Sequence, residues 1–413
     1  MKILVITQYF YPENFRINDL CYSLKERGNE VTVLTGKPNY PNGEYYDGYN
    51  WSSKSYEIIN EIEVFRSNLI LRKSGKSLNL VLNYISFVFF GIARLFSIKK
   101  RFDKILIYAP SPITVGLIGI VAKYFFKSRT FLWVHDLWPE SVKIAGNINN
   151  NIILNIVDLM TRLIYRYSDL IMVQSPLFKD YIHNQGVKYE KIKFYPYYAE
   201  DFYKPLELKE KNIYPEGHNI IFAGNIGVAQ SFDTIISAAL ELKKNKIKIN
   251  FIIIGEGRDK TRIQNLIKEN DIEPYFYFLG AHPPEKMARF FYHADALLVS
   301  LKKSKIFFRT IPGKLQSYLA CSKPIIGSID GIAGNIIKES NCGFCSPAED
   351  AKKLSDIIVK FINLSVEDRD KLGKNALNYY NQHFKKDKLL LDLENIFKEN
   401  IHERNYFSWR KGY

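Results

Sequence analysis

The sequence predicts an α/β protein built from two doubly wound parallel sheets that face each other across a cleft. Three observations predict it. Apolar strand-like runs alternate with helical periodicity, the alternation pauses at a polar stretch near the middle of the chain, and it then restarts. Alternating strands and helices favour parallel sheets covered on both faces, with ligands bound outside the carboxyl ends of the strands. A length of 413 residues fits two such domains.

The first half begins with an Ile- and Val-rich strand at residues 2–8. Apolar residues from Ile17 to Leu24 then recur at helical spacing, and Gly28 suits the end of that helix. Further strands are predicted at residues 30–34, 103–109, 129–134 and 169–174.

The polar stretch at residues 199–216 contains Pro205 and Pro215 and predicts the domain boundary. Strands are then predicted at 219–223, 249–254, 275–279, 294–300 and 324–327, with helices at 232–242 and 258–268. We therefore expect an N-terminal domain at 1–205, a C-terminal domain at 206–385, and a tail at 386–413 that packs back on the N-terminal domain.

The composition narrows the classes of partner. Hydrophobic residues make up 46% of the chain, which excludes a disordered protein, and the net charge of +15 favours anionic partners. The pair Cys342 and Cys345 has no second CxxC, which favours ordinary buried thiols over a zinc site. The N-terminus predicts a strand instead of a secretion signal, so we expect a cytoplasmic protein.

The most apolar segment is residues 78–98, which is long enough to cross a bilayer. Two interpretations stay open: an interfacial helix that enters an anionic leaflet, or a crossover helix buried against the sheet. A true span would break the strand–helix order on either side. The segment is interrupted by Asn79, Asn83, Ser86 and Arg94 and is followed by Lys99, Lys100 and Arg101.

Two motifs follow predicted strands of the first half. In the loop of residues 9–16, Asn14, Phe15 and Arg16 precede a helix whose N-terminus suits a phosphate, although an asparagine there also serves as an ordinary cap. His135 and Asp136 follow another strand, where ligands bind. The alternative is a helix cap by Asp136. The flanking Trp133 and Trp138 predict a sugar-binding wall.

Glycine turns follow two strands of the second half. Gly224 and Gly227, with Asn225 between them, allow a ligand to approach the backbone, although a tight turn needs glycine as well. Gly255 and Gly257 form the second turn, which lacks the third glycine of a dinucleotide fingerprint.

The segment 308–318 gives the most specific physical signal. Pro312 and Gly313 precede a helix that carries Lys314 in its first turn, where a cation destabilises the helix unless an anion binds there. Arg309 adds a second phosphate-binding group. The alternative is that Lys314 extends to solvent and Arg309 pairs with a nearby acid.

A DxD spacing at Asp368 and Asp370 is one that metal-dependent sugar transferases use. It follows Ser365 at a helix start, so we interpret these acids as ordinary capping chemistry and predict no metal site.

Together these motifs resemble glycosyltransferase family 4, which has the GT-B fold of two Rossmann-like domains, and within it a WbuB-like branch of bacterial surface-polysaccharide enzymes. The resemblance covers most of the chain, in family order. It rests on QYFYPENFRINDL from Gln8, VTVLTGKPNYPNGEYYDGY from Val31, HDLWPES from His135, FAGNIGVAQSFD from Phe222, GEG at Gly255 and TIPGKLQSYLACSKPIIG from Thr310.

The resemblance implies a retaining reaction without a metal, with the nucleotide on the C-terminal domain and the acceptor on the N-terminal one. His135 matches the histidine that contacts the donor sugar, and Gly280 falls where the family holds the base. Arg309 and Ser317 occupy the positions of the family's paired glutamates. We expect Gln316 or Ser317 to replace the contact that a glutamate makes in the family. The usual basic pair is replaced by Asn225 and Gln230.

We therefore expect a UDP-sugar donor, with N-acetyl-L-fucosamine or a related N-acetyl amino sugar moved to a polyprenyl diphosphate-linked saccharide in O-antigen or capsule assembly. The enzyme is expected as a peripheral protein on the inner face of the cytoplasmic membrane. One alternative, a nucleotide-sugar epimerase, needs acid–base carboxylates in the cleft. A nucleic-acid binder is disfavoured because the basic residues form no single stripe. The cleft acids available to an epimerase are Glu13, Asp136, Glu140 and Asp330.

Overall fold

The computed structural model describes residues 1–73, 77–145 and 150–399 and contains two sheets, each covered by helices on both faces. The first sheet has eight strands in the order β3-β4-β2-β1-β5-β6-β7-β8, and all neighbours are parallel except β3 and β4. Its strands are β1 Lys2–Ile6, β2 Glu30–Gly36, β3 Tyr56–Ile59, β4 Ile62–Ser67, β5 Lys104–Ala109, β6 Arg129–Val134, β7 Leu170–Val173 and β8 Ile192–Phe194.

The second sheet has six parallel strands in the order β11-β10-β9-β12-β13-β14. Each sheet is buried on both faces. For example, Leu4 and Ile6 of β1 pack into one core while Ile3 and Val5 pack into the other. The strands of the second sheet are β9 Asn219–Ala223, β10 Asn250–Ile254, β11 Phe276–Gly280, β12 Ala296–Ser300, β13 Ile325–Ser328 and β14 Gly343–Ser346.

Six helices cover the first sheet: α1 Arg16–Glu26, α2 Ser77–Leu95, α3 Val115–Phe126, α4 Glu140–Ala145, α5 Asn151–Tyr167 and α6 Pro176–Asn184. The others follow the linker between the sheets: α7 Phe232–Lys244, α8 Lys260–Glu269, α9 Met287–Tyr292, α10 Lys305–Arg309, α11 Gly313–Ala320, α12 Gly331–Glu339, α13 Ala351–Ile362, α14 Val366–His383 and α15 Lys386–Lys398.

The chain crosses between the two sheets twice. After β8 it passes through residues 195–218, which contain no helix or strand, before β9 begins. After α14 it returns: Leu389, Leu393 and Phe397 of α15 pack into the core beneath β1 and β6. The tail expected at 386–413 is described only as far as residue 399, and residues 400–413 lie outside the described part of the chain.

Helix α2 has two unlike faces. Phe87 and Leu95 are buried in the first core, and Asn83 joins α2 to the loop after β1 by accepting a hydrogen bond from Gln8 Nε2 at 2.7 Å. The segment Leu78–Leu95 is long and apolar enough to cross a membrane, with a mean hydropathy of 1.6 and 28% of its residues buried. The polar residues that interrupt the apolar run therefore include one that faces inward, towards the sheet.

Candidate active site

The carboxyl ends of three adjacent strands form a row of glycines in the second domain. Gly224 and Gly255 directly follow β9 and β10, Gly280 is the last residue of β11, and each has a positive φ. A Cβ on Gly255 would lie 1.9 Å from the Gly224 oxygen, so this glycine is required by the close approach of two turns. Gly257 is required in the same way, because its Cβ would lie 2.0 Å from the Ile226 oxygen.

Gly224 lies beside Lys314, in the first turn of α11. A Cβ on Gly224 would lie 3.2 Å from the Lys314 Nζ, which also lies 3.8 Å from the centre of the Phe222 ring. The ammonium is buried and has no hydrogen-bond partner among the described residues. Burial lowers the pKa of Lys314 to about 7. A buried cation without a counter-ion is costly, and an anion bound here would compensate it.

The first turn of α11 is held from the other domain by Arg16. The Arg16 guanidinium donates to the Gly313 oxygen at 3.0 Å and to the Ser317 hydroxyl at 2.8 Å. It also donates to the Tyr198 oxygen at 2.7 Å and pairs with Glu200 at 3.4 Å. Its donors are thus used within the protein, so Arg16, predicted to bind the donor, is a strut between the domains in this structure.

Ser317 and Gln316 also face the interior. Ser317 accepts the hydrogen bond from Arg16, and Gln316 is 0% exposed. With its amide nitrogen turned towards them, Gln316 donates to the oxygens of Pro312 and Gly313, each at 3.0 Å. Both residues therefore order the start of α11, and Gln316 has no exposed surface with which to contact a ligand.

Arg309 lies apart from Lys314, and no contact between them is present in the described chain. Its guanidinium donates to the Lys305 oxygen at 3.1 Å and lies 5.7 Å from the centre of the Tyr181 ring, which belongs to the first domain. A cleft of about 530 Å³ opens beside it. Its lining consists of Lys303, Ser304, Lys305, Phe308, Arg309 and Asp330.

His135 follows β6 and lies in an aromatic box at the facing edge of the first sheet. Its ring stacks on Tyr197 with centres 4.4 Å apart, and it contacts the rings of Tyr108 and Trp133. Neither ring nitrogen has a partner within the described residues. Burial, with a smaller effect from Arg16, holds the pKa of His135 well below its usual value, so the ring is neutral.

The predicted tryptophan wall is wrong at Trp133. Its side chain is 2% exposed, and its indole nitrogen donates to the Tyr195 oxygen at 3.0 Å inside the core. Trp138 is also buried, but its indole nitrogen has no partner in the described structure.

The four predicted cleft acids differ sharply in their surroundings. Glu13 accepts hydrogen bonds from the backbone nitrogens of Phe10, Asn39 and Tyr40. Asp136, in contrast, has no hydrogen-bond partner in the described ranges, and burial raises its pKa to about 7. Glu140 and Asp330 are also bound internally, by the Tyr181 hydroxyl and the Ala348 nitrogen respectively. Of these four acids, only Asp136 has no hydrogen-bond partner among the described residues, whereas an epimerase needs a pair of acid–base carboxylates.

The loop after β1 is organised by aromatic stacking. Phe15 stacks on Tyr9 with ring centres 4.8 Å apart, and both contact Tyr40. Phe15 occupies the cap position of α1 without a side-chain cap, whereas Asn14 is exposed. The predicted asparagine cap is therefore absent from α1. Asn18 instead binds the loop, through the Tyr11 nitrogen and the Glu13 oxygen.

Asn225 and Gly227 belong to the turn that follows β9 in the second domain. Asn225 is exposed, and a Cβ on Gly227 would lie 2.8 Å from the Asn225 amide nitrogen.

In the described ranges no three His, Cys, Asp or Glu side chains converge as metal ligands. Asp368 lies in the first turn of α14, where its backbone nitrogen donates to the capping Ser365 hydroxyl at 3.1 Å.

Sequence reasoning overlooked the aromatic residues that surround His135. Tyr108 and Tyr197 come from β5 and from the linker between the sheets, and their hydroxyls are 3.1 Å apart. The Arg16 guanidinium lies over the Tyr197 ring at 5.2 Å. Tyr108 ends a recognised strand, but no sequence pattern links Tyr197 to a residue 62 positions earlier.

Residues 204–379, which form most of the second domain, match the family model "Glycosyl transferases group 1". This domain therefore resembles the glycosyl transferases of that family. It is similar to the putative colanic acid biosynthesis glycosyl transferase WcaI of Escherichia coli K12, with 24% identity over 67% of this chain and 71% of the relative. It is also similar to the probable glycosyltransferase WbjE of Pseudomonas aeruginosa, with 25% identity over 66% and 71%.

Solved structures confirm the GT-B fold predicted for this chain. Sucrose-phosphate synthase from Thermosynechococcus elongatus superposes with a TM-score of 0.74 and 15% identity, covering 96% of this chain and 98% of that one. HepE of Anabaena, solved in complex with UDP and glucose, superposes with a TM-score of 0.67 and 14% identity, covering 97% and 100%.

Proposed function

We propose that the chain is a glycosyl transferase that takes a sugar from a UDP-sugar, with the donor diphosphate bound at the start of α11. The observation that carries the proposal is the Lys314 ammonium, buried without a partner beside the Gly224 turn. Its helix has no side-chain cap, so free backbone N–H groups add to the positive potential. The UDP complex of the similarly folded HepE supports the choice of nucleotide.

The reaction we propose is retaining and needs no metal. Charge on the departing diphosphate is met by Lys314 and by the α11 N-terminus, both fixed before the reaction. Arg309 lies in the neighbouring cleft and contributes a second positive charge near the donor sugar. His135 faces the sugar as a neutral hydrogen-bonding group, since its two ring nitrogens lack partners within the described chain.

The acceptor we propose is a polyprenyl diphosphate-linked saccharide at the inner face of the cytoplasmic membrane. Helices α2 and α5 carry exposed apolar residues and both pack against α3. We call this surface the apolar face. Tyr84 of α2 contacts Trp138, with ring centres 6.4 Å apart, so α2 adjoins the loop that carries His135. The members of the apolar face are Leu78, Val81, Leu82, Ile85 and Phe89 of α2, and Ile152, Ile153, Ile156, Leu159 and Leu163 of α5.

Exposed cations border the apolar face. Lys99 and Arg101 follow α2, and Lys127 follows α3. Lys100 is instead paired with Glu30 and Glu63, so it is not available to a lipid headgroup. Apolar burial together with cations is the combination that stable peripheral attachment requires.

For the sugar we propose N-acetyl-L-fucosamine or a related N-acetyl amino sugar, and for the product an O-antigen or capsule precursor. The relatives named for colanic acid and amylovoran biosynthesis support a role in bacterial polysaccharide assembly.

The test is mass spectrometry of the products formed from a panel of UDP-N-acetyl amino sugars with polyprenyl diphosphate N-acetylglucosamine. The proposal predicts a lipid product heavier by one sugar, together with free UDP. An epimerised nucleotide sugar and an unchanged lipid would contradict it and would indicate the epimerase instead.

A further inference from the structure

Asp136 is the one predicted cleft acid that the fold does not use. Its residue lies directly after His135, where β6 ends at the edge that faces the second domain. In the part of the chain that the structure describes, no group donates a hydrogen bond to its carboxylate, and burial is the cause of its raised pKa. The Asp136 side chain is half-buried. A carboxylate at this edge that receives no hydrogen bond from the described protein can accept one from a ligand.

Three tyrosines from different parts of the chain lie around Asp136: Tyr84 on α2, Tyr108 near the end of β5 and Tyr197 in the linker. Burial raises the pKa of each of them, and the charge of Asp136 adds a smaller effect in the same direction. Tyr197 in turn lies against Arg16, which holds the α11 turn that carries Lys314. Asp136 is thus positioned between the apolar helix α2 and the proposed donor site.

Hydrogen-bonding capacity is concentrated on the loop after β6. Besides Asp136, both His135 nitrogens and the Trp138 indole nitrogen lack partners in the described structure. Trp138 contacts the ring of Tyr84, with centres 6.4 Å apart. Hydrogen-bond donors and an acceptor beside aromatic rings can bind a sugar, because the polar groups bind its hydroxyls and the rings pack against its C–H groups.

We propose that the Asp136 carboxylate accepts a hydrogen bond from the acceptor hydroxyl that attacks the donor sugar, and so positions that hydroxyl for reaction. This inference rests on the proposed function. The hydroxyl oxygen bonds to the anomeric carbon as the bond from that carbon to the diphosphate oxygen breaks. The electron pair stays on the diphosphate, which also receives the hydroxyl proton, and Asp136 ends the cycle unchanged.

The test compares native protein with Asp136→Asn, an isosteric change that keeps the shape but accepts less strongly. Three quantities are measured: UDP affinity, slow hydrolysis of the UDP-sugar in the absence of acceptor, and transfer to the lipid acceptor. We expect transfer to fall about a hundredfold or more, with UDP affinity and hydrolysis within about twofold of native. The matched control is Asp356→Asn, on an exposed part of α13, which should leave all three unchanged.

Two outcomes would overturn the inference: unchanged transfer, or an equal loss of hydrolysis and transfer, since the latter places Asp136 on the donor. Asp136→Ala with added formate gives a second readout, because a carboxylate entering the vacated space should restore transfer in part. If Asp136→Asn fails to fold, the same comparison on Asp136→Ala decides. Native protein that binds UDP but transfers no sugar to any lipid acceptor would contradict the proposed function itself.

Discussion

At the scale of single residues, the account depends most on Lys314. A lysine in the first turn of a helix is unusual enough to be noticed in the sequence, and the structure shows why it is costly: its ammonium is buried without a counter-ion among the described residues. A diphosphate bound as we propose would supply the missing counter-charge and remove this cost.

This leads to a prediction about pH. Because burial lowers the pKa of Lys314 to about 7, the proposed binding of UDP above pH 7 must return a proton to the amine. We expect UDP affinity to fall between pH 7 and 9, by up to about tenfold per unit, with measurable proton uptake. Calorimetry in two buffers of different ionisation enthalpy measures both.

Lys314→Met is the control for this prediction and should bind UDP weakly without proton uptake. The variant should also be more stable than native. Because folding lowers the pKa of Lys314, this lysine binds fewer protons in the folded protein than in the unfolded chain between pH 7 and 10.5. The free energy of unfolding of native protein therefore rises with pH across that window. The gain in Tm should therefore be larger at pH 6 than at pH 10. A native affinity that does not change with pH would contradict the assignment.

Arg309 and Arg16 show what residue patterns could not determine. Both are cations close in sequence to a predicted phosphate site, and the sequence predicted that both would contact the donor. The structure separates them: Arg309 borders the neighbouring cleft, whereas Arg16 crosses to the other domain. The partners of Arg16 lie 182 to 301 residues away in the chain, a distance at which spacing carries no information.

At the scale of helices and strands, most of the strands could be predicted from sequence because parallel strands buried on both faces are continuously apolar. β3 and β4 form an antiparallel hairpin at the edge of the sheet and were overlooked because neither is continuously apolar. Exposed and half-exposed residues alternate along β3, and buried and half-exposed residues alternate along most of β4. β8 and β14 are short and were overlooked for that reason.

The strut from α1 to α11 gives an element-scale prediction. Arg16→Met removes the cation and leaves Glu200, whose side chain is 13% exposed, without its counter-charge. We expect the free energy of unfolding to fall by about 3–5 kcal/mol. The double variant Arg16→Met with Glu200→Gln should recover part of that loss, as measured by urea denaturation. Equal stability of the single variant and native protein would show that the strut is not structural.

The apolar face gives a second prediction at this scale. Native protein should sediment with anionic vesicles and less with neutral ones. Replacing both Ile85 and Phe89 by Ser should lower the vesicle partition coefficient at least about tenfold. Replacing both Ile156 and Leu159 of α5 by Ser should lower it to a similar extent.

The matched control replaces two exposed apolar residues outside the apolar face, Val366 on α14 and Leu391 on α15, by Ser. It should sediment as native protein does. Negligible sedimentation of native protein with both vesicle types would refute membrane attachment, and resistance to carbonate extraction would favour a membrane span.

At the scale of the whole molecule, two doubly wound domains meet with their carboxyl edges opposed. The first contributes His135 and Asp136, and the second contributes Lys314 and the glycine turns. Neither domain alone holds both sets of groups. The two chain crossings and the Arg16 strut therefore set the distance between the reacting groups.

The central claim is that fixed protein charge, with Lys314 foremost, replaces a metal ion at the departing diphosphate. The most direct measurement is the turnover of UDP-sugar and lipid acceptor in excess EDTA, for native protein and folded Lys314→Ala. The account predicts that native turnover is unchanged by EDTA, and that Lys314→Ala lowers kcat about a hundredfold without rescue by magnesium. Loss of native activity in EDTA with rescue by magnesium or manganese, or near-normal turnover of Lys314→Ala, would contradict it.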